Sequence, residues 1–464
     1  MAIAPGIFRQ YDIRGTVGRD LTTEAARAIG VAYAIHLQDQ LKPAKPGSPT
    51  VVVSRDNRPS GPALRDALVD GLTSAGVDVI DVDVVPTPLN YWCLHHLPVD
   101  GGIQITGSHN PPEYNGFKLS LGKSSVHGEE IQHLLQLITS SAGPRTNRKG
   151  TVRSEAVIDR YIEDIVQRVG PLKRPISLVY DCGNGAGALV APKLFAKLGV
   201  SKGGRGLFCE SDGTFPNHHP DPTVPENLED LIVAVEKERA EIGIAFDGDA
   251  DRIGVVDEKG EIIWGDRILI LYARDVLART GKGQSIIFDV KCSQALPDAI
   301  ERAGGRPVMW KTGHSLIKEK MKETGAPIAG EMSGHMFFSE GFYGHDDALY
   351  GAARLLRILA DSGKTVRQLL SDVPDFVSTP EIRIDVPEDI KFGLVDNAVR
   401  YFRSKHNVID VDGVRVLFGD GWGLIRASNT QPVIVARFEA ATPARLNAIR
   451  GEMEGWLRTQ GVRV

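Results

Sequence analysis

The chain has 464 residues, 42% hydrophobic and 24% charged, the make-up of a soluble globular protein with room for about two to four domains. Its 54 Lys and Arg against 59 Asp and Glu leave a net charge of -5, which excludes a broad basic surface and, with it, nucleic acid or an anionic membrane as main partner. The four cysteines, Cys93, Cys182, Cys209 and Cys292, lie far apart with no CxxC pair and read as free thiols of a reducing compartment.

The N-terminal stretch MAIAPGIFRQYDIRG lacks the charged-then-apolar pattern of a secretory signal, and no apolar run approaches a membrane span, so the expected location is the cytoplasm. TVVVSRD (Thr50–Asp56) is predicted as a buried strand, followed by a helix ending at Gly76 and by the strand VDVIDVDVV. GGIQIT is the next strand and runs into the polar loop of ITGSHNPPEYNGFK (Ile105–Lys118). ISLVYD (Ile176–Asp181), EIGIAFD (Glu241–Asp247), SIIFDV (Ser285–Val290) and GAPIAGE (Gly325–Glu331) repeat the pattern. Strand then helix, many times over, predicts α/β architecture with mixed or parallel sheets. Polar, Gly- or Pro-rich seams at SSAGPRTNRKGT (Ser140–Thr151), VVDEKGEII (Val255–Ile263) and SDVPDFVSTPEIRI (Ser371–Ile384) divide the chain into expected domains 1–150, 151–258, 259–371 and 372–464. Similar α/β units in three segments are consistent with a large-scale repeat.

Ser108 sits where the chain leaves a sheet, the edge at which open α/β folds collect ligands. It has no G-x-S-x-G elbow, and neighbours such as Ser108 and His109 usually point apart, so a hydrolase triad is disfavoured and a plain loop serine stays open. FDGDADRIGVVDE (Phe246–Glu258) places Asp247, Asp249 and Asp251 at alternate positions. Carboxylates so close repel unless a divalent cation gathers them, and all-oxygen ligation suits Mg²⁺ or Ca²⁺. An EF-hand would need glycine where Arg252 stands, and helices where the flanks read as strands; a solvated acidic turn stays open. In AGEMSGHMFF (Ala329–Phe338), Glu331, Ser333 and His335 alternate along an expected extended piece, which would turn all three to one side and suit sugar hydroxyls or a buried polar cluster. KTGHSLIKEK adds Lys311 and His314 before a helix.

LIRASNTQPVIVARFE (Leu424–Glu439) delivers Arg426, Ser428, Asn429 and Thr430 into one turn, a cradle for phosphate or an ordinary hairpin. DCGNGAGA (Asp181–Ala188) matches a dinucleotide fingerprint at Gly183, Gly185 and Ala188, with Glu210 as a late ribose acid, and equally describes a tight strand-to-helix turn. The pairs His95-His96 and His218-His219 lack zinc-site spacing and read as packing or loop residues. One economical arrangement has four domains contributing one loop each to a shared cleft. A loop serine beside a divalent metal, a hydroxyl reader and a phosphate cradle makes sense if the serine itself carries phosphate, with Arg252 bracing the transferring group.

FRQYDIRG (Phe8–Gly15), TGSHNPPEYNGFK (Thr106–Lys118), DGDADR (Asp247–Arg252), GEMSGH (Gly330–His335) and RASNTQP (Arg426–Pro432), in this order, resemble the α-D-phosphohexomutase superfamily, in its bacterial phosphomannomutase/phosphoglucomutase branch. The resemblance covers essentially the whole chain. It implies an α/β protein of four domains around a central cleft, three related mixed-sheet domains and a smaller α+β C-terminal one. It implies a phosphoserine at Ser108, Mg²⁺ on its phosphate and on Asp247, Asp249 and Asp251, and sugar hydroxyls on Glu331 and Ser333. Arg426, Ser428, Asn429 and Thr430 would take the non-reacting phosphate. Tyr11, Arg14, Lys118, Arg252, Lys291, His314 and His335 would line the cleft, Lys118 and His314 being candidates for proton transfer and His109 a support of the loop. The implied reaction interconverts hexose 1-phosphate and hexose 6-phosphate of mannose or glucose through a 1,6-bisphosphate that turns end over end, with glucose or mannose 1,6-bisphosphate as activator. GEMSGH is more similar to the mannose/glucose type than to the glucosamine type. The expected partners are small sugar phosphates, with a monomer favoured. A phosphoglucosamine mutase, an aspartyl-nucleophile phosphatase on Asp247 and Asp249, a nicotinamide dehydrogenase and a non-catalytic binding protein are the alternatives.

Overall fold

The computed structural model describes residues 3–41, 48–429 and 432–464. Its first sheet grows from Thr50–Arg55, a run of β-branched residues whose four inner positions are buried. Asp78–Val84 and Gly101–Ile105 flank this strand in parallel, and Gly101–Ile105 turns back into antiparallel Tyr114–Leu121. Ile13–Thr16 and Val152–Ser154 close the two edges.

The second sheet repeats that order, with Arg205–Leu207, Leu178–Asp181 and Ile242–Phe246 parallel and Ile253–Asp257 antiparallel. The third repeats it again with Arg306–Trp310, Ser285–Asp289, Ile328–Gly330 and antiparallel Met336–Phe338. The large-scale repeat is thus a shared strand order. In each copy the hairpin between the last two strands carries a candidate loop: residues 106–113, 247–252 or 331–335. All three loops leave the sheets at the carboxyl ends of parallel strands, where ligands collect in such folds.

The last sheet is antiparallel throughout, with Val433–Ala440 between Gly421–Ala427 on one side and Val377–Ser378 and Ile382–Asp385 on the other. Helices Lys391–Arg403 and Pro443–Thr459 bury their apolar faces in its core. Two strands outrun the expected seams: Val152–Ser154 still pairs in the first sheet, and Ile262–Ile263 in the second. Strands of two or three residues, fully exposed in the first case, carry too short an apolar pattern to be read in advance. Among the described residues no helix is long and apolar enough to cross a membrane.

One continuous buried cluster joins the first three sheets, running through Trp92, Tyr161, Phe195, Phe246, Tyr272 and Phe338. The last quarter of the chain has a separate core and meets the third sheet through a small apolar contact at Val290, Trp422 and Leu424. Met309, Val411 and Leu417 pack at the edge of this contact, and polar groups add to the seam. Arg415, fully buried, donates to the carbonyls of Val290 (2.8 Å) and Cys292 (2.6 Å) while its guanidinium lies 3.7 Å from the centre of the Trp422 ring. Gln294 N–H donates to Glu439 (2.9 Å), and Lys291 pairs with Glu381 (2.6 Å).

Arg415→Met would leave two buried carbonyls without a donor, a loss of about 3 kcal/mol at the seam. We expect calorimetry to show an earlier, separate unfolding transition for the C-terminal domain. A single transition at the parent temperature would show that the seam does not depend on Arg415.

Candidate functional site

The serine loop is built around a buried ion pair that the sequence did not announce. Arg58, with no exposed surface, donates through Nε to Asp56 (3.1 Å) and through its other nitrogens to the carbonyls of Ser108 (2.8 Å), Asn110 (2.6 Å), Pro111 (2.6 Å) and Tyr114 (3.0 Å). Asp56 also accepts from the Thr106 hydroxyl (2.8 Å) and from Gly107 N–H (3.1 Å). These contacts hold Ser108 in left-handed geometry, φ +51°, a conformation that non-glycine residues adopt sparingly. Ser108 Oγ donates to Asp247 Oδ2 at 2.9 Å, and His109 Nδ1 lies 3.0 Å away, so the neighbouring side chains meet instead of diverging. Burial in the cleft, with Arg252 and Arg14 nearby, holds the His109 pKa well below its usual range.

Asp247, Asp249 and Asp251 are all fully buried, with carboxylate oxygens within 4.8 Å of one another. The strands Ile242–Phe246 and Ile253–Asp257 flank this turn, which removes the EF-hand reading. Gly248 is required here by close approach, since a Cβ would lie 2.4 Å from the Ser108 carbonyl oxygen. Burial, then the charges of Asp251 and Asp249, push the Asp247 carboxyl well above the usual range. Burial acts in the same sense on Asp249, but the Lys118 ammonium and the Thr87 hydroxyl outweigh it and hold that carboxyl low. Lys118 Nζ donates to Asp249 (2.8 Å) and to Asp251. Burial opposes the Lys118 charge, yet the two aspartates raise its pKa well above the ordinary value. Asp249 Oδ1 and Asp251 Oδ1 are buried with no hydrogen-bond partner. An all-oxygen set with two such orphans fits a hard divalent cation.

The third loop corrects one expectation. Glu331 to His335 form a tight turn, closed by Gly334 N–H to the Glu331 carbonyl (3.0 Å), not an extended piece. Ser333 Oγ remains within 3.4 Å of Glu331, but His335 turns away to the aspartate loop. There Arg252 Nε donates to His335 Nε2 (3.0 Å), and His335 Nδ1 faces Asp346 (3.2 Å) and Asp251 (3.5 Å). The reason is register: Arg252 and His335 form an isolated antiparallel bridge between the second and third domains. His314 opens the helix His314–Thr324 with its ring centre 5.9 Å from that of His335. Burial and the Lys318 charge push His314 well below its usual pKa. Asp346 and Lys318, paired at 3.1 Å and both buried, were not singled out in the sequence. Asp347, beside Asp346, caps the helix Ala348–Ser362 by accepting from Tyr350 N–H at 2.8 Å.

Tyr11 joins three domains through one oxygen: its hydroxyl donates to the Thr312 carbonyl (2.7 Å) and accepts from Asn429 (2.6 Å). Arg14 donates to Asn110 and Asp12, each at 2.5 Å. Glu331 accepts from Gly313 N–H at 2.6 Å. Arg426 pairs with Asp412 (2.9 Å), which also accepts from Thr312 N–H (3.1 Å). Ser428 is buried beside Arg426, with its carbonyl on Lys391 (2.6 Å). Thr430 lies outside the described residues. Lys291 faces Glu381, whose pKa it draws down to about 2. Most of the expected residues therefore fall into two groups: Ser108, Lys118, the aspartates, Arg252, His314 and His335, then Tyr11, Glu331, Ser333, Arg426 and Asn429.

The glycine-rich turn after Asp181 is filled from within the protein. A Cβ on Gly185 would lie 2.6 Å from the Gly248 carbonyl oxygen and one on Gly183 2.9 Å from Pro220, while Ala186 N–H donates to the Gly248 carbonyl (2.8 Å). The turn braces the aspartate loop and leaves no cradle for a dinucleotide. Of the histidine pairs, His218 holds Asp181 (3.0 Å), and His96 stacks on Trp92 with ring centres 3.8 Å apart.

Family models described as phosphoglucomutase/phosphomannomutase alpha/beta/alpha domains I, II and III match residues 5–142, 159–260 and 264–376, and the C-terminal domain of the same family matches 381–455. A phosphomannomutase/phosphoglucomutase of Pseudomonas putida is 48% identical over 464 residues, covering 100% of this chain and 97% of that protein. A phosphoglucomutase of Neisseria gonorrhoeae is 46% identical over 458 residues, 98% of this chain and 97% of that one. The crystal structure of a phosphoglucomutase/phosphomannomutase family protein from Burkholderia thailandensis superposes with a TM-score of 0.90 at 45% identity, over 99% of this chain and 98% of that chain. With all four domain models matched in order and near-complete coverage on both sides, the chain belongs to the phosphoglucomutase/phosphomannomutase family.

Proposed function

We propose that the chain is a phosphohexomutase in which Ser108 carries a phosphoryl group and exchanges it with the 1- and 6-positions of a hexose, mannose or glucose, through a 1,6-bisphosphate that turns over in the cleft. The supporting observation is the 2.9 Å contact of Ser108 Oγ with Asp247, made across two domains and against three buried carboxylates. Asp247, Asp249, Asp251 and the Ser108 phosphate would hold Mg²⁺, which neutralises charge on the transferring phosphoryl oxygens.

The remaining work falls to the chain's own groups. Lys118, whose ammonium donates to Asp249 (2.8 Å) and to Asp251, supplies positive charge beside the transferring group. Arg252 leaves His335 Nε2 without a proton by donating to it. When Arg252 swings to the phosphoryl group, that lone pair is free to take the proton of the attacking sugar hydroxyl. Glu331 and Ser333 bind sugar hydroxyls, and Arg426, Ser428, Asn429 and Thr430 receive the other phosphate. A bisphosphate of either sugar primes Ser108. A phosphatase using Asp247 as nucleophile is less well supported, because Oδ1 accepts from the backbone of Asp251 and Arg252 and Oδ2 from Ser108.

³¹P NMR with Mg²⁺, a trace of glucose 1,6-bisphosphate and, in turn, glucose, mannose or glucosamine 1-phosphate is expected to show the 1-phosphate resonance moving to the 6-phosphate without free phosphate. Ser108→Ala should lower that conversion by at least about 10³-fold, and chelation should abolish it until Mg²⁺ is restored. Retained activity in Ser108→Ala, with release of free phosphate, would instead favour the phosphatase. Arg58→Lys keeps the charge but not the fork that serves four carbonyls. Its kcat should fall about 10²-fold with unchanged circular dichroism, and parental kcat would remove Arg58 as a positioning residue. Hydrogen exchange in Ser371–Val464 should slow on adding glucose 1-phosphate, and identical rates with and without it would count against closure of the last domain.

A further inference from the structure

Cys182 and Cys209, 27 positions apart and in no recognised motif, bring their sulfurs to 3.3 Å. Cys182 follows the strand Leu178–Asp181 directly, and Cys209 stands two residues beyond Arg205–Leu207, its parallel neighbour. Between them Phe208 takes left-handed geometry, φ +48°, which folds Cys209 back over the sheet end. The bare Gly206 leaves space for that sulfur, since a Cβ there would lie 2.5 Å from Cys209 Sγ. Cys182 is fully buried and Cys209 half-buried, so a solvent-borne reagent meets one member of the pair first. Cys93 and Cys292 are buried in other domains.

We propose that Cys182 and Cys209 are a modification site, a dithiol that hydrogen peroxide converts reversibly to a disulfide. Cys209 sulfur attacks the peroxide: an S–O bond forms, the O–O bond breaks, two electrons leave sulfur and one water departs. Cys182 sulfur then displaces the hydroxyl of the Cys209 sulfenic acid: the S–S bond forms, the S–O bond breaks and a second water leaves. The sum is two thiols and one peroxide to one disulfide and two waters. The sulfurs need to close by roughly 1.2 Å to reach bonding distance. The neighbouring Cys182 thiol lowers the Cys209 pKa, while the same contact and burial raise that of Cys182, which assigns attacking and resolving roles consistent with their exposure.

The pair is connected to the aspartate loop. Gly185 N–H donates to the Cys182 carbonyl (2.8 Å), Ala186 N–H donates to the Gly248 carbonyl (2.8 Å), and Gly248 packs on the Ser108 carbonyl. Drawing Cys182 toward Cys209 therefore pulls on the turn that braces Gly248.

The test treats the full chain with hydrogen peroxide, blocks remaining thiols by alkylation and maps peptides without reduction. The expected result is a mass loss of two hydrogens, one cross-linked peptide containing Cys182 and Cys209, alkylated Cys93 and Cys292, and reversal by dithiothreitol. Cys182→Ser should divert Cys209 to products gaining one or more oxygens, and Cys209→Ser should leave Cys182 unmodified. Wild-type Cys209 gaining oxygen without a cross-link, or disulfides forming between chains, would overturn the proposal. These readouts do not depend on the mutase reading. Oxidation should also lower turnover of glucose 1-phosphate about tenfold, restored by dithiothreitol. A quantitative cross-link with unchanged turnover would refute the link to the aspartate loop.

Discussion

Three carboxylates enclosed in protein within reach of one another repel strongly, and the fold must bring positive charge to them or leave them protonated. Each domain beside the cluster answers that demand. The first domain supplies Lys118 from the antiparallel strand of its sheet, together with the hydroxyls of Thr87 and Thr106 on Asp249. Asp247 draws two backbone N–H groups from its own turn. These partners leave two carboxylate oxygens, Asp249 Oδ1 and Asp251 Oδ1, available to a cation.

The shared strand order explains how loops from distant parts of the chain converge. A hairpin appended to the end of a parallel pair projects its turn past the sheet, and three copies around one core direct three turns inward. The close glycine contacts, Gly185 on Gly248 and Gly248 on the Ser108 carbonyl, stack one turn on the next at backbone distance. The fourth domain has a different sheet and a separate core, and it touches the others through Tyr11, Arg415 and Lys291.

Apolar runs such as Thr50–Arg55 and Ile242–Phe246 were legible because a buried parallel strand is apolar over most of its length. The aspartate turn was legible because three acids in five residues repel unless a cation gathers them. Arg58 was not, since its partners are carbonyls about fifty positions away and carbonyls leave no mark in a sequence. Asp346 was not either, since its partners Lys318 and His335 stand on other elements and no motif links the three. The direction of His335 was misjudged because alternation decides sidedness in a strand, whereas these residues form a turn.

The seam of the last domain carries a thermal consequence. Its apolar contact is small, and its remaining links are charged or hydrogen-bonded groups that water can replace. Opening such a seam exposes little hydrocarbon, so its heat-capacity change is small and the enthalpy of opening stays nearly constant with temperature. The Lys291–Glu381 pair is largely enclosed in the closed seam, so opening returns both charges to water. Parting the last domain from the rest is thus an exchange of polar partners for water, with little apolar surface at stake.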